Sequence, residues 1–331
     1  MTARPHPVPQ DIYRARRMIA GHVVRTPLVP TITLSNDAGV PVHLKLEHQQ
    51  VTGSFKLRGA ANALLSLDPE RRARGVVAAS TGNFGRALAF AASQAGVPAV
   101  ICMSKLVPGN KVEAIRALGA EVRIVGTSQD DAQEEVDRLS AEHGMAMLPP
   151  FDHADVIAGQ GTIGLELLED LPDLETVVVP LSGGGLLAGI ALAVKSANPR
   201  ARLIGVTMER GAAMHASLRA GMPVLVEEVE SLADSLGGGV GLANRHSFTL
   251  VRDLVDDVVL VSETRIADAI RFAYRQEQQV VEGAGAVGIA ALMAGLIERP
   301  GRTIIVLSGR NIDMNRHAEI VSGQPAEATR A

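Results

Sequence analysis

A single lysine stands among small and apolar residues in the stretch Val51-Thr-Gly-Ser-Phe-Lys-Leu-Arg-Gly-Ala60. The apolar spacing of the following residues predicts a helix from Lys56 to Leu67. The dipole at a helix N-terminus and partial burial both disfavour a positive charge, so both lower the pKa of the Lys56 amine. An amine that spends time neutral is a nucleophile that forms Schiff bases with carbonyl compounds. The alternative is a solvated lysine at a helix end.

A glycine-rich turn, Ser182-Gly-Gly-Gly185, follows a predicted buried strand, Thr176 to Leu181, and opens a predicted helix. Its glycines let several backbone N–H groups point at one spot, and the helix N-terminus adds positive potential, which suits a phosphate. The turn lacks the Gly-Lys-Ser/Thr ending of a nucleotide P-loop. A cofactor monophosphate therefore fits this turn better than ATP does, and the alternative is a plain strand-to-helix turn.

A second polar turn, Ser80-Thr-Gly-Asn-Phe-Gly85, lies at the end of another predicted strand, Gly75 to Ser80. It offers two hydroxyls, one amide and the free N–H groups of a helix start, which together suit a carboxylate. Ser80 and Thr81 are equally consistent with a simple helix cap.

Together these motifs make the sequence resemble the fold type II pyridoxal-phosphate enzymes, which are tryptophan synthase β-like, from about residue 10 to about residue 315. The closest resemblance is to the threonine dehydratase and serine racemase group. It implies pyridoxal 5'-phosphate as the cofactor, with Lys56 as its covalent attachment and Ser308 on its pyridine nitrogen. The residues that it assigns to cofactor binding are Phe55, Lys56, Asn83, Ser182, Gly183, Gly184, Gly185, Leu186, Glu282 and Ser308.

The same resemblance implies how the substrate is held. It assigns the substrate carboxylate to Ser80, Thr81, Gly82, Asn83 and Phe84, places Asn83 on the phenolic oxygen of the cofactor, and makes Lys56 and Thr81 catalytic. Thr81 stands where the racemase has the serine that protonates the second face of the α-carbon, and a β-branched side chain there favours elimination over racemisation. A neutral Ser308 makes the cofactor a weaker electron sink, which also favours β-elimination. Glu282 is placed near the ring by resemblance, with a solvated glutamate as the alternative.

Two positions depart from the family pattern. Phe84 replaces a histidine that many relatives carry, and Arg310 replaces a glycine. If residue 84 contacts the substrate carboxylate through its backbone N–H, replacing histidine with phenylalanine there loses little of the contact. The Arg310 guanidinium is expected either near the cleft or on the surface.

Two other kinds of site are disfavoured. Gly283-Ala-Gly-Ala-Val-Gly288 matches the dinucleotide fingerprint letter by letter, but no buried strand precedes it and no acidic residue follows the next strand. The positions of the divalent-cation ligands of some relatives carry Thr207 and Ala213, and Glu209 and His215 would not face each other on a helix. We therefore expect neither a dinucleotide nor a bound metal.

The resemblance implies a lyase that dehydrates and deaminates a β-hydroxy α-amino acid to a 2-oxo acid and ammonia. A catabolic role is expected because no regulatory domain follows the catalytic region. The segments 208–215, 232–239 and 308–313 are most similar to the dehydratase of hydroxyectoine utilisation, which implies a hydroxylated diaminobutyrate-type substrate. The alternatives are a broad L-threonine/L-serine dehydratase, a serine/threonine racemase, a β-replacement transferase, a non-catalytic binding protein and a nicotinamide oxidoreductase.

Alternating strands and helices predict an α/β fold of two open, mainly parallel sheets with helices on both faces. We expect a large domain from 1–74 and 151–322, a small substrate-closing domain at 75–150 and a polar tail at 323–331. The chain has 331 residues, a net charge of −4, one cysteine, six Phe and two Tyr, and no membrane-length apolar run or signal-like start. A cytoplasmic protein that binds neither nucleic acid nor membrane is expected, and the family implies a homodimer.

Overall fold

Two open sheets covered by helices make up the chain. The computed structural model describes residues 6–80, 82–105, 107, 109–127 and 129–323. The strands in these residues are β1 (Leu28–Pro30), β2 (Val42–Lys45), β3 (Val76–Ala79), β4 (Ala99–Met103), β5 (Glu121–Ile124), β6 (Ala146–Met147), β7 (Thr176–Pro180), β8 (Arg202–Met208), β9 (Asp257–Val261) and β10 (Thr303–Val306).

The larger sheet has six strands in the order β1-β2-β10-β7-β8-β9, and the smaller has four in the order β5-β4-β3-β6. Every neighbouring pair is parallel except β1 with β2 at the edge of the larger sheet. The predicted fold class, α/β with two mainly parallel sheets, is confirmed. In such sheets the loops at the carboxyl ends of the strands are the usual place for a ligand.

Helices connect almost all of these strands. In the described residues they are α1 (Pro9–Met18), α2 (Ile32–Ala38), α3 (Lys56–Leu65), α4 (Pro69–Ala73), α5 (Asn83–Ala95), α6 (Gly109–Arg116), α7 (Gln129–His143), α8 (Ala154–Asp170), α9 (Gly185–Ala197), α10 (Ala213–Ala220), α11 (Ser247–Leu254), α12 (Glu263–Arg275), α13 (Gly283–Met293) and α14 (Met314–Ser322). Two short 3-10 turns lie at Glu47–Gln49 and Asp234–Leu236.

The central strands of each sheet are buried on both faces. Successive side chains of a strand point to opposite faces, and helices cover each of these faces. In β7, Val177 and Val179 pack with residues of α8 and α9, whereas Val178 packs with residues of α12 and α13. In β3, Val76 and Ala78 pack with α3 and α5, whereas Val77 packs with α7. The near-continuous apolar runs of these strands follow from this double burial.

Helix α3, which begins at Lys56, lies between the two sheets. Its residues Leu57 and Leu64 belong to the same buried cluster as Val76 of the smaller sheet, and its other neighbour is α8, which follows the smaller sheet in sequence. The smaller sheet falls within 75–150, but its core includes α3. The two-domain division stays a proposal, and a boundary at residue 74 would separate α3 from part of its core.

Five elements were not predicted from the sequence, namely β1, α2, α4, β6 and α14. Each is short, with two to nine residues, and a short segment carries too few turns or alternations for a periodicity to stand out. Helix α14 lies directly before the predicted polar tail, and it is capped by Asp313, whose carboxylate accepts hydrogen bonds from the backbone N–H groups of Asn315 and Arg316. Residues 324–331 of that tail lie outside the described residues.

The dinucleotide-like glycines lie in the first turns of α13, which follows helix α12 rather than a strand. A side chain on Gly285 would put its Cβ 2.7 Å from the carbonyl oxygen of Gly309, so this glycine lets α13 approach the loop after β10. A dinucleotide fingerprint requires a strand directly before its glycines, and the element that precedes them here is helix α12.

Candidate active site

The loop before Lys56 is fixed by the loop that follows β10. Ser54 pairs with Gly309 in a short antiparallel bridge, the Phe55 N–H donates to the Ser308 carbonyl at 3.0 Å, and the Arg310 N–H donates to the Gly53 carbonyl at 2.9 Å. These backbone bonds place the start of α3 beside the carboxyl end of β10. Lys56 and Ser308, which are far apart in sequence, therefore line the same cavity.

The amine of Lys56 is held at the wall of this cavity. Its Nζ donates a hydrogen bond to the Pro150 carbonyl at 2.9 Å and lies 5.2 Å from the centre of the Phe55 ring and 6.0 Å from that of Phe84. Burial lowers the pKa of this amine from 10.5 to about 8, and the Glu282 carboxylate opposes that shift. The solvated helix-end lysine considered from the sequence does not describe this environment.

The glycine turn 182–185 joins β7 to α9 and lies against Phe151. Gly184 has a φ of +89°, which L side chains rarely adopt, and a Cβ on Gly183 would lie 2.5 Å from the Phe151 ring. The turn therefore needs glycine for both its backbone conformation and its close packing. The first N–H groups of α9 have no partner within the helix, so they form a ready anion site.

The turn after β3 contributes Ser80, Gly82, Asn83 and Phe84 to the cavity. Ser80 also caps α5, because its Oγ accepts a hydrogen bond from the Gly85 N–H at 3.0 Å. The N-cap residue itself is Gly82, so Ser80 serves the start of α5 from two residues before the cap position. Thr81, which the sequence assigns to catalysis and substrate binding, lies outside the described residues.

Glu282 is buried rather than solvated, with 4% of its surface exposed. Its carboxylate accepts hydrogen bonds from the Asn83 side-chain amide at 2.7 Å and from the Asn311 backbone N–H at 3.0 Å. The amide of Asn311 in turn donates to the side-chain oxygen of Asn83. Residues from the two sheets thus meet in one polar cluster, and the solvated alternative for Glu282 is wrong.

Arg310 is exposed, and it is not among the residues that line the cavity. Of the two positions expected for its guanidinium, the surface is therefore the one observed. Ser308, two residues earlier, is buried and does line the cavity.

The cavity has a volume of about 410 Å³, within the range of small-molecule sites. It gathers all of the residues expected to contact the cofactor, together with the described part of the 80–84 turn. Residues to which the sequence assigned no contact with cofactor or substrate also line it, including Pro150, Phe151, Glu228 and Asp234. Glu228 and Asp234 come from the irregular segment between α10 and α11, where neither helical nor strand periodicity marks an inward face.

The family model described as "Pyridoxal-phosphate dependent enzyme" matches residues 19–309. The chain belongs to this family. A protein from Sinorhizobium fredii, provisionally named a threonine dehydratase, is 61% identical over 315 residues, which are 95% of each chain. L-threonine ammonia-lyase from Thermotoga maritima is 45% identical over 95% of this chain and 78% of its own length. Maize serine racemase has the same fold, with a TM-score of 0.90 and 33% identity over 96% of this chain and 97% of its own.

Within the pyridoxal-phosphate family, the chain belongs to the threonine dehydratase and ammonia-lyase group, and its cofactor is pyridoxal phosphate. The cavity fits this cofactor in three respects. It offers an amine of lowered pKa, a glycine turn at a helix start, and a buried hydroxyl at Ser308. These groups match an aldehyde, a phosphate and a pyridine nitrogen respectively.

The described residues offer no group of three His, Cys, Asp or Glu side chains that could hold a metal ion. Thr207, at one of the cation-ligand positions of some relatives, is buried, and its hydroxyl contacts the sulfur of Met208. Among the helices of the described ranges, none is long and apolar enough to cross a membrane.

The lowered pKa of Lys56 should be visible in the pH dependence of pyridoxal phosphate binding. With a pKa of about 8, roughly one molecule in ten holds the neutral amine at pH 7, against about one in three thousand for an unperturbed lysine. We expect the rate at which the cofactor-free protein takes up pyridoxal phosphate to rise between pH 7 and 8 and to level off above pH 9. Stopped-flow absorbance measures this rate, and a steady rise to pH 10.5 would contradict the shift.

Proposed function

We propose that this chain is a lyase that dehydrates and deaminates a β-hydroxy α-amino acid. The observation that carries the proposal is the Lys56 amine, with its pKa lowered to about 8, facing a cavity that also holds a glycine turn and the helix start at Asn83. Overall the α-proton and the β-hydroxyl leave as water, and the resulting enamine is hydrolysed by one water to a 2-oxo acid and ammonia.

The two helix starts hold the two anions of the reaction. Ser182, Gly183, Gly184, Gly185 and Leu186 bind the cofactor phosphate through backbone N–H groups and the positive end of α9. The turn formed by Ser80, Thr81, Gly82, Asn83 and Phe84 binds the substrate carboxylate at the start of α5 in the same way. With both anions fixed, the substrate's α-carbon is directed toward Lys56.

Three polar side chains and one aromatic ring orient the cofactor ring. Ser308 would hold the pyridine nitrogen and Asn83 the phenolic oxygen. Glu282 holds Asn83, and Phe55 packs beside the lysine. Bound pyridoxal phosphate supplies a sink for the electron pair that remains when the α-proton leaves. A neutral Ser308 leaves that sink weak, which favours prompt loss of a β-substituent over transamination.

Lys56 is the proposed base. Its amine carries the cofactor, and when free it takes the α-proton at Nζ, for which a pKa near 8 is well matched to neutral pH. Thr81 is proposed as a second group at the substrate, close to its carboxylate.

A second amine on the substrate is supported by the charge of the cavity. Glu228 and Asp234 bring two carboxylates to the wall formed by the 222–246 segment. Carboxylates favour a cationic side chain and disfavour an anionic one, which fits a 3-hydroxylated diaminobutyrate and the proposed role in hydroxyectoine degradation. A cytoplasmic homodimer is proposed from family analogy.

Serine or threonine racemisation is the second candidate, and the likeness to maize serine racemase favours it. Racemisation requires a proton donor on the face of the α-carbon opposite Lys56, the place proposed for Thr81. Formation of D-serine from L-serine, measured by chiral chromatography, separates this activity from elimination.

The function is tested by ammonia release from L-threonine, L-serine, 3-hydroxyaspartate and 3-hydroxy-2,4-diaminobutyrate. We expect the highest kcat/KM for the diaminobutyrate and the lowest for the hydroxyaspartate. Glu228→Gln should reduce the ratio of diaminobutyrate to threonine kcat/KM about fivefold, the size of an exposed charge interaction. Glu227→Gln is the matched control, because Glu227 is also exposed but does not line the cavity. If a protein loaded with cofactor releases no ammonia from any of the four substrates, the proposed lyase activity is contradicted.

A further inference from the structure

The side-chain amide of Asn83 lies between two other polar residues, Asn311 and Glu282. Its oxygen accepts a hydrogen bond from Asn311 Nδ2, and its nitrogen donates to Glu282 Oε1 at 2.7 Å. Asn83 and Glu282 are both buried. Asn83 lines the cavity, whereas Asn311 is not among the lining residues. Any influence of Asn311 on the reaction must therefore pass through its neighbours.

The direction of the hydrogen bond between Asn311 and Asn83 is set by a backbone group. Asn311 Nδ2 also donates to the Thr52 carbonyl at 2.9 Å, and a carbonyl can only accept. The nitrogen of the Asn311 amide is thereby fixed, and because an amide nitrogen only donates, the atom of Asn83 that meets it must be the oxygen. The orientation of an amide is assigned from such a network rather than from its shape.

The far end of the cluster gives the same orientation for Asn83. The Asn83 oxygen already accepts from Asn311, so the Asn83 atom that meets Glu282 is the nitrogen, which donates to Oε1. Glu282 is itself held by the Asn311 backbone N–H, which donates to its second oxygen at 3.0 Å. Asn311 therefore contacts both partners of the pair, with its side chain on Asn83 and its main chain on Glu282.

We propose that Asn311 is a positioning residue that holds the Asn83 amide with its nitrogen, and not its oxygen, available to the cavity. One hydrogen of Asn83 Nδ2 goes to Glu282, and the second is presented to an oxygen acceptor of the cofactor. This inference rests on the proposed function, in which Asn83 meets the phenolic oxygen of pyridoxal phosphate. A reversed amide would place its oxygen against that oxygen, and two acceptors repel.

The cluster also joins the two sheets. Asn83 begins α5, directly after strand β3 of the smaller sheet, whereas Glu282 and Asn311 lie in loops of the larger sheet. The orientation of the Asn83 amide consequently depends on groups from both sides of the cavity. This explains why a residue outside the cavity wall can alter cofactor binding.

The test compares the purified holoenzymes of the wild type, Asn311→Asp and Asn311→Ala. The aspartate keeps the shape of the side chain but cannot donate, so the Asn83 amide loses one of the two hydrogen bonds that fix its direction. We expect the dissociation constant of pyridoxal phosphate to rise about tenfold in Asn311→Asp and about threefold to fivefold in Asn311→Ala. The maximum of the visible absorption band should shift in both, because the hydrogen bond to the phenolic oxygen is weakened.

Asn198→Asp is the matched control, since Asn198 Nδ2 also donates to a backbone carbonyl, that of Leu174 at 3.1 Å, away from the cavity. It should leave the affinity and the absorption band unchanged. If Asn311→Asp does not fold, Asn311→Ala carries the test without introducing a charge. Wild-type affinity and an unshifted band in the folded Asn311 variants would overturn the inference. Neither the cofactor affinity nor the absorption band requires a substrate. A shifted band in the Asn311 variants of a protein that releases no ammonia would therefore support the positioning role of Asn311 while contradicting the proposed lyase activity.

Discussion

Replacing Lys56 with alanine should abolish ammonia release from every amino acid that the wild type accepts. The change removes the amine that is proposed both to carry the cofactor and to take the α-proton. Loss of a positioned base alone typically costs about 10²- to 10⁴-fold in rate, so we expect kcat to fall by at least about 10³-fold. The measurement is ammonia release under saturating substrate, together with the cofactor absorption band and its reduction by borohydride.

Lys195→Ala is the control for this experiment. Lys195 is a half-buried lysine that pairs with Asp256, far from the cavity, and its loss should leave both activity and absorption unchanged. A Lys56→Ala protein that retains a borohydride-reducible band and ammonia release within tenfold of the wild type would show that another group performs both tasks.

The parts of the site that local sequence could predict are those whose chemistry lies within one short segment. The turn 182–185 needs glycine at Gly184, and the apolar runs of β3 and β7 reflect strands buried on both faces. Lys56 stood out because a single lysine stands among mostly small and apolar residues at the start of a predicted helix. In each case the residue types of one short segment indicate its backbone conformation or its pattern of burial.

The parts that local sequence could not predict are pairings between distant residues. Asn83 meets Glu282 across 199 positions and Asn311 across 228. These contacts depend on how the loops of the two sheets meet. The periodicity of apolar residues within one segment does not predict such contacts between distant segments. Glu228 was missed for the related reason that it lies in an irregular segment.

A buried ionic network next to Lys56 was also missed, since charged residues are usually exposed. Arg58, two residues after Lys56, binds both oxygens of Glu47 at 2.8 and 2.9 Å and both oxygens of Glu166 at 2.6 and 2.9 Å. Lys45 donates to Glu166 at 2.6 Å. All four side chains are buried, and together they fix the first turn of α3 to β2 and α8.

Replacing Arg58 with methionine should therefore cost about 3–5 kcal/mol of unfolding free energy, because it leaves Glu47 and Glu166 buried with fewer partners. The measurement is urea unfolding of the apoprotein at pH 7.5. Burial alone would raise the pKa of the Glu47 carboxyl, but Arg58 and Thr26 hold it below its usual value. The wild type thus loses stability as the pH falls through that lowered pKa, whereas in Arg58→Met the buried Glu47, without its arginine, takes up a proton at higher pH. The difference between the two proteins should consequently shrink between pH 7.5 and 5.

The control is Arg138→Met, because Arg138 binds both oxygens of Glu135 at 2.8 Å with the same two-pronged geometry, but on the surface. Exposed pairs are screened by water and salt, so this variant should lose only a small fraction of what Arg58→Met loses. Equal losses in the two variants would mean that burial does not set the strength of the Arg58 network. If Arg58→Met instead matched the wild type in stability but lost cofactor affinity, the network would act on the placement of Lys56 rather than on the stability of the fold.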